Sequence, residues 1–191
     1  MNTRPAAGEQ KDISLFDEVY RLHNRPVYAY LRGRCRETDA AADLLQETFL
    51  RAWRHLDEIR RIPGESRLYW LLAVARNVVN DHYRRQAVRR PFAYPLPETL
   101  PSGDRAHDPV ASAENASTAS EVEQALAALP EDLRVVVSLR YLGDLNSAEI
   151  AQALDRPAGT VRYQLSQARA MLAQNMRLMS AGSQPGEERN R

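Results

Sequence analysis

Five side chains toward the C-terminal end, Arg162, Tyr163, Ser166, Gln167 and Arg169, share the outward side of a helical pattern whose inward side is Val161, Leu165, Ala168 and Leu172. That set suits nucleic acid rather than catalysis. Arginine bonds guanine edges or phosphate, glutamine reads adenine, and tyrosine and serine hydroxyls serve phosphates. The residues just before supply the setting. Asn146 stands three residues ahead of Glu149, a variant of the capping box, and Ile150, Ala151 and Leu154 turn one face of a short helix inward. Pro157 and Gly159 shape a tight turn, and the second helix follows. Residues 145–169 thus follow the plan of a helix-turn-helix, whose second helix can lie in the major groove of DNA. A helical hairpin that merely packs is the other reading of this spacing.

A second polar set lies in 67–88, where Tyr69, Trp70, Arg76, Asn77, Asn80, Tyr83, Arg84 and Arg85 share one predicted helix. Rings that stack on bases, interleaved with arginines that follow a backbone, suit unpaired strands. Trp70, Leu71, Ala75 and Val78 fit a core better than a ligand. The formal net charge is only +1, yet residues 13–90 hold fifteen Arg against ten Asp plus Glu. Arg76, Arg84, Arg85, Arg89 and Arg90 cluster late in the helix. Such a cluster either neutralises phosphates or forms a solvated face.

Other chemistry finds no support. No nucleophile stands beside a patterned base, no glycine loop cradles phosphate, and His23, His55, His82 and His107 make no Cys/His metal spacing. No catalytic residue, metal or other cofactor is therefore expected. Cys35 is the one cysteine, which excludes an internal disulfide. No run approaches the ~20 apolar residues of a membrane span. The opening residues lack the apolar core of a signal peptide, so a cytoplasmic location is the expectation.

The elements that must position these sets are helices, because 3.6-residue patterns recur and period-two alternation is nearly absent. The expected fold is all-α: two small helical domains joined by a flexible linker. Residues 1–11 read as a flexible tail, 12–90 as the first domain, 91–119 as a Pro-rich linker, 120–178 as the second domain and 179–191 as a second tail. Residues 13–35 hold one or two helices, with Pro26 a new start or a kink. Thr38 or Asp39 begins a helix reaching about residue 59. Leu45, Thr48, Phe49, Ala52, Trp53 and Leu56 gather on one side of it, and Asp43, Gln46, Glu47, Leu50 and Arg54 on the other. Pro63-Gly64 breaks the chain, and Ser66 is placed to cap the helix over 67–88. In the second domain, Leu129-Pro130 separates helices over 121–128 and 131–142. Leu133, Val136, Val137 and Leu139 are available for a core, and Gly143 is the C′ stop. Each core is modest, so a partner is expected to add to stability.

Four stretches in order carry a family resemblance: Asp43-Leu-Leu-Gln-Glu-Thr-Phe-Leu-Arg-Ala-Trp53; Trp70-Leu-Leu-Ala-Val-Ala-Arg-Asn77 with Asp81 and Arg84-Arg85; Leu129-Pro130-Glu131 with Leu139-Arg-Tyr-Leu142; and Glu149-Ile-Ala151 with Gly159-Thr-Val161. Together they resemble the extracytoplasmic-function (ECF, group IV) sigma factors, compact bacterial members of the sigma-70 family with only regions two and four. The resemblance covers most of 12–178. It implies a non-enzymatic RNA polymerase sigma factor that binds core polymerase, reads −10 and −35 promoter elements and is held inactive by an anti-sigma factor. It implies that Asp43, Gln46, Glu47, Leu50 and Arg54 meet the β′ clamp helices, with the β flap as a further polymerase contact. The same resemblance assigns Arg76, Asn77, Asn80, Tyr83, Arg84 and Arg85, with the segment from Asp57 to Ser66, to binding and opening the −10 element. Arg140, Arg162, Tyr163, Ser166 and Gln167 are assigned to the −35 element. Membrane insertion is not implied.

Three departures stand out. Arg162-Tyr163-Gln164 and Gln167 replace more basic residues common in the family, which predicts weaker or altered −35 contact. Asp155-Arg156 stands where glycine and an apolar residue are common. Arg60-Arg-Ile-Pro-Gly64 lacks the aromatic residues often found in that loop.

The composition changes character over 86–120, and as a free coil these thirty-five residues average about 30–35 Å end to end and can stretch to roughly 115 Å. DNA elements two helical turns apart are separated by about 70 Å. The expectation is therefore two loosely coupled domains that span a promoter only when polymerase draws the join out. An independent DNA-binding regulator and a protein-only helical adaptor are the alternatives; the 43–53 pattern speaks against the first.

Overall fold

A computed structural model describes residues 7–89 and 122–182; the linker at 91–119 lies outside the described residues, as do 1–6 and 183–191 of the two tails. The described helices are α1 (Ala7–Arg34), α2 (Thr38–Arg54), α3 (Leu56–Arg61), α4 (Arg67–Arg89), α5 (residues 122–127), α6 (Glu131–Tyr141), α7 (Ser147–Leu154) and α8 (Ala158–Gly182), with a 3-10 turn at Gly64–Ser66. The fold is all-α, and no strand occurs among the described residues.

The first half is built on α1, which begins inside the stretch read as a tail and runs through Pro26 without dividing. Packing outweighs the missing amide: Val19 before the proline and Val27, Ala29 and Leu31 after it are fully buried in one core. Helix α2 stops at Arg54, short of the expected end. His55 leaves the helical region at φ −116°, its N–H closes onto the Ala52 carbonyl at 3.1 Å, and α3 restarts the chain. The break lets both Leu56 and Ile59 bury. Thr48, also buried, satisfies its hydroxyl by donating to the Leu44 carbonyl at 2.7 Å. Trp53 is less enclosed than its inward assignment implied, 41% exposed with one ring edge against Phe16. Ser66 does not cap α4; it lies within the 3-10 turn, which leads straight into that helix.

In the second half, Asn146 and Glu149 form the anticipated capping box. The Asn146 side chain accepts from the Ala148 and Glu149 amides, and Glu149 accepts from the Asn146 amide at 2.7 Å. Gly143 follows α6 as expected, but the left-handed residue of that turn is Asp144, at φ 61°. Glycine is needed at 143 for space instead: a Cβ there would lie 2.7 Å from the Leu139 carbonyl oxygen and 3.2 Å from the Ala29 methyl.

The main difference from the sequence reading lies between the halves. Helix α6 is buried on every side from Leu133 through Leu139. It packs against α7 and α8 of its own half and, most extensively, against α1 of the other. One continuous core therefore runs from Val19 to Ala168, where two loosely coupled bodies were expected. An apolar run such as Val135-Val136-Val137 cannot be served by one neighbour, because consecutive residues point 100° apart.

Two stability predictions follow from these contacts. Asn146→Ala removes both cap acceptances and should cost about 1 kcal/mol, lowering Tm by about 2–4 °C in a thermal melt. Burial, reinforced by the Arg67 guanidinium and opposed by Glu18, holds His23 below its ordinary pKa of 6.5. The unfolded chain then takes up a proton that the folded one refuses, so stability should fall as pH drops below 6.5. Urea midpoints measured on either side of that value should converge in His23→Gln.

Candidate nucleic-acid interface

Helix α2 turns Ala41, Leu44, Thr48, Phe49 and Ala52 into the core, which leaves Asp43, Gln46, Leu50 and Arg54 on its open face. Leu50 is 52% exposed, with no packing reason to be leucine. Glu47 is only half-buried because the Arg51 Nε donates to it at 2.8 Å. The same guanidinium reaches Asp81 of α4 at 3.3 Å, and its hydrogen bond to Glu47 chiefly holds its pKa above the ordinary value. Arg51, passed over in the sequence, thus fixes the spacing between α2 and α4.

Helix α4 buries Leu71, Leu72, Ala75, Val78 and Val79. All six residues assigned to the −10 element are exposed, but they do not form one surface. At 100° per residue, Arg76, Asn77, Asn80, Tyr83 and Arg84 fall within an arc of about 120°. Arg85 lies beyond it, beside Asp43 and Glu47. Two members of the stripe already have partners at the end of α1. The Arg34 guanidinium donates to Asn80 at 3.3 Å, and the Tyr83 hydroxyl donates to the Arg34 carbonyl at 2.8 Å. The Tyr83 ring is partly exposed while its hydroxyl is tucked away. Burial, with the Cys35 thiol alongside, pushes its pKa up to about 12.

Helix α8 buries Val161, Leu165 and Ala168 and presents Arg162, Tyr163, Ser166 and Gln167 outward, Tyr163 at 68% exposure. Arg140 is placed differently. It lies partly buried on α6 and donates to the Leu145 carbonyl at 3.0 Å, bracing the turn into α7. Arg169 donates to the Tyr141 hydroxyl at 3.0 Å and ties α8 to α6. Arg156, in the turn itself, bridges Asp132 at 2.6 Å and Gln164 at 3.2 Å. Its neighbour Asp155 takes φ 51°, the left-handed conformation glycine adopts without strain. Gly159, read in the sequence as part of the turn, lies inside α8, and the left-handed residue is Asp155 instead; the bracing by Arg156 left no sequence signal. Among the described residues, no His, Cys, Asp and Glu group could hold a metal ion, and no helix is long and apolar enough to cross a membrane.

The families described as Sigma-70 region 2 and Sigma-70, region 4 match residues 19–89 and 119–172. The ECF RNA polymerase sigma-E factor of Haemophilus influenzae is 33% identical over 177 residues, spanning 88% of this chain and 89% of that protein. Its Escherichia coli K12 counterpart is 33% identical over 175 residues, 87% of each. Two solved structures share the fold. The sigma factor RpoE in complex with the anti-sigma factor NepR from Bartonella quintana matches with a TM-score of 0.56 at 18% identity, over 88% of this chain and 96% of that one. CnrH in complex with the cytosolic domain of CnrY matches with a TM-score of 0.56 at 21% identity, over 88% and 89%. With both halves matched in order, the chain belongs to the extracytoplasmic-function sigma factors of the sigma-70 family, DNA-binding transcription initiation factors that are not enzymes.

Proposed function

We propose that this sigma factor divides its work among three faces. Asp43, Gln46, Glu47, Leu50 and Arg54 on α2 bind the β′ clamp helices of core polymerase. Arg76, Asn77, Asn80, Tyr83 and Arg84 bind and open the −10 element, with Arg85 at the margin of that surface. Arg162, Tyr163, Ser166 and Gln167 enter the −35 major groove. Arg140 supports the last set from behind, holding the turn that aims α8. Residues 12–90 act as region two and 120–178 as region four, which also meets the β flap, with 91–119 as the join. The protein works in the cytoplasm, where an anti-sigma factor covers it until release, as the two anti-sigma complexes among its structural relatives suggest by analogy.

The observation that carries this reading is the exposed leucine on α2. Leu50 stands among Asp43, Gln46, Glu47 and Arg54, on the face turned away from the buried Ala41, Leu44, Thr48, Phe49 and Ala52. An isolated solvated helix has no use for it, whereas an apolar anchor within a polar rim suits a protein interface.

Run-off transcription with purified core polymerase on a genomic library tests the whole assignment; silence together with no stable association with core would overturn it. Leu50→Glu should keep its helical circular dichroism and weaken association with core by at least roughly tenfold, the loss of one interface anchor. Arg162→Glu should leave that association intact and reduce initiation at −35-dependent promoters by about tenfold or more, since one groove contact carries about 1–3 kcal/mol.

A further inference from the structure

We propose that Arg51 is a positioning residue for promoter opening: by binding Asp81 from the α2 side, it leaves Arg84 of α4 free for a phosphate of the −10 strand. The proposal rests on the assignment of the α4 stripe to promoter DNA.

That stripe has an acidic edge. At 100° per residue Asp81 lies about 40° beyond Asn77, on the side where Arg51 of α2 reaches it. Its side chain is 40% exposed, so the carboxylate is open to a strand laid along the stripe. Left alone it would act against DNA in two ways. It would repel phosphates passing nearby, and it would compete with them for the nearest guanidinium. Arg76 and Arg84 are the two cations among the five residues of the stripe, so withdrawal of either halves its positive charge.

The Asp81 carboxylate meets a guanidinium on each side. Arg51 stands 3.3 Å from Oδ2, and Arg84, three residues along α4, stands 3.6 Å from Oδ1. The two contacts are unequal. Arg51 is partly buried, and Glu47 holds its Nε at 2.8 Å, so its planar fork is fixed between two carboxylates before DNA arrives. The Arg84 side chain is 78% exposed and its contact with Asp81 is long. A surface pair of that kind is weak and readily given up. Arg84 can therefore exchange Asp81 for a phosphate, while Arg51 keeps the carboxylate neutralised behind it.

Arg85 does not take the place of Arg51. Its Nε donates to the backbone carbonyl of Asp81 at 3.3 Å, and its side chain lies beside Asp43 and Glu47. Without Arg51, the whole charge of Asp81 falls to Arg84, and the contact that was easily exchanged becomes a rival to DNA. A residue on the α2 helix, touching no nucleotide, thus sets the strength of the α4 surface.

The test uses holoenzyme, formed from the full chain and saturating core polymerase, with a fork-junction DNA bearing the −10 region of a promoter recovered by run-off transcription. Arg84→Ala should weaken binding by about tenfold, the loss of one charged hydrogen bond, and lower the salt slope by about one. Arg51→Met, which keeps the apolar stem, should weaken binding by about fivefold, the reach of a competing surface carboxylate, and lower the slope likewise. Asp81→Asn should bind as wild type does, and Arg51→Met combined with Asp81→Asn should return to that level. A residue that only braced α2 against α4 would behave otherwise, because Asp81→Asn breaks the same tie. Equal defects in Arg51→Met and Asp81→Asn, or no recovery in the double variant, overturn the proposal. Should Arg51→Met lose helical circular dichroism, Arg51→Gln carries the same comparison. If Arg84→Ala binds as wild type does, the stripe assignment fails and this inference with it. If Arg84→Ala is impaired while Arg51→Met is not, the role of Arg51 alone fails.

Discussion

A helix apolar around its whole circumference must be surrounded, and α6 is such a helix. From Leu133 to Leu139 every residue is buried, Arg134 and Ser138 among them. One side is satisfied by α7 and α8, which fixes the helix-turn-helix. The other is satisfied by α1, which fixes region two against region four. Small groups permit this: Gly33 and Ala29 on α1, and Gly143 beyond the end of α6, let backbones approach where side chains would intervene. The arrangement of the whole molecule thus rests on a single eleven-residue helix serving two cores.

Each outward surface depends on a packed counter-face. Leu50 can be spent outward because Phe49 and Ala52 hold α2 from within, and Tyr163 is free because Val161 and Leu165 seat α8. The arginine excess is partly occupied internally. Arg51 bonds Glu47 and Asp81, Arg60 bonds Asp57 and Asp12, and Arg67 pairs with Glu18. Arginines that brace and arginines left for phosphate are therefore separated by geometry, not by composition.

The legible part of this fold was periodic or capped. The helical pattern on both sides of residue 60, the buried set Ile150, Ala151, Val161 and Leu165, and the Asn146–Glu149 box could be read because local spacing alone determines them. Pro26 misled, since its local penalty is overridden by apolar residues packed on either side of it. The break at His55 was hidden because the inward pattern continues across it through Leu56 and Ile59. The closure of the two halves left only one trace, a glycine in a helix, and a glycine does not say which neighbour it admits. For the candidate sites, helical phase could choose the outward faces of α2 and α8. It could not reveal that Arg140 is committed to Leu145 or that Arg85 lies off the stripe, because those outcomes depend on where other elements end.

Cys35 lies at the seam between the halves, 3% exposed, with Tyr83 on one side and Arg134 nearby. Burial pushes its thiol pKa up, which keeps it protonated and slow to react. Alkylation of this single sulfur should therefore be slow in the folded protein and fast once the packing of α1 against α6 is lost, so one thiol reports the integrity of the contact between the halves.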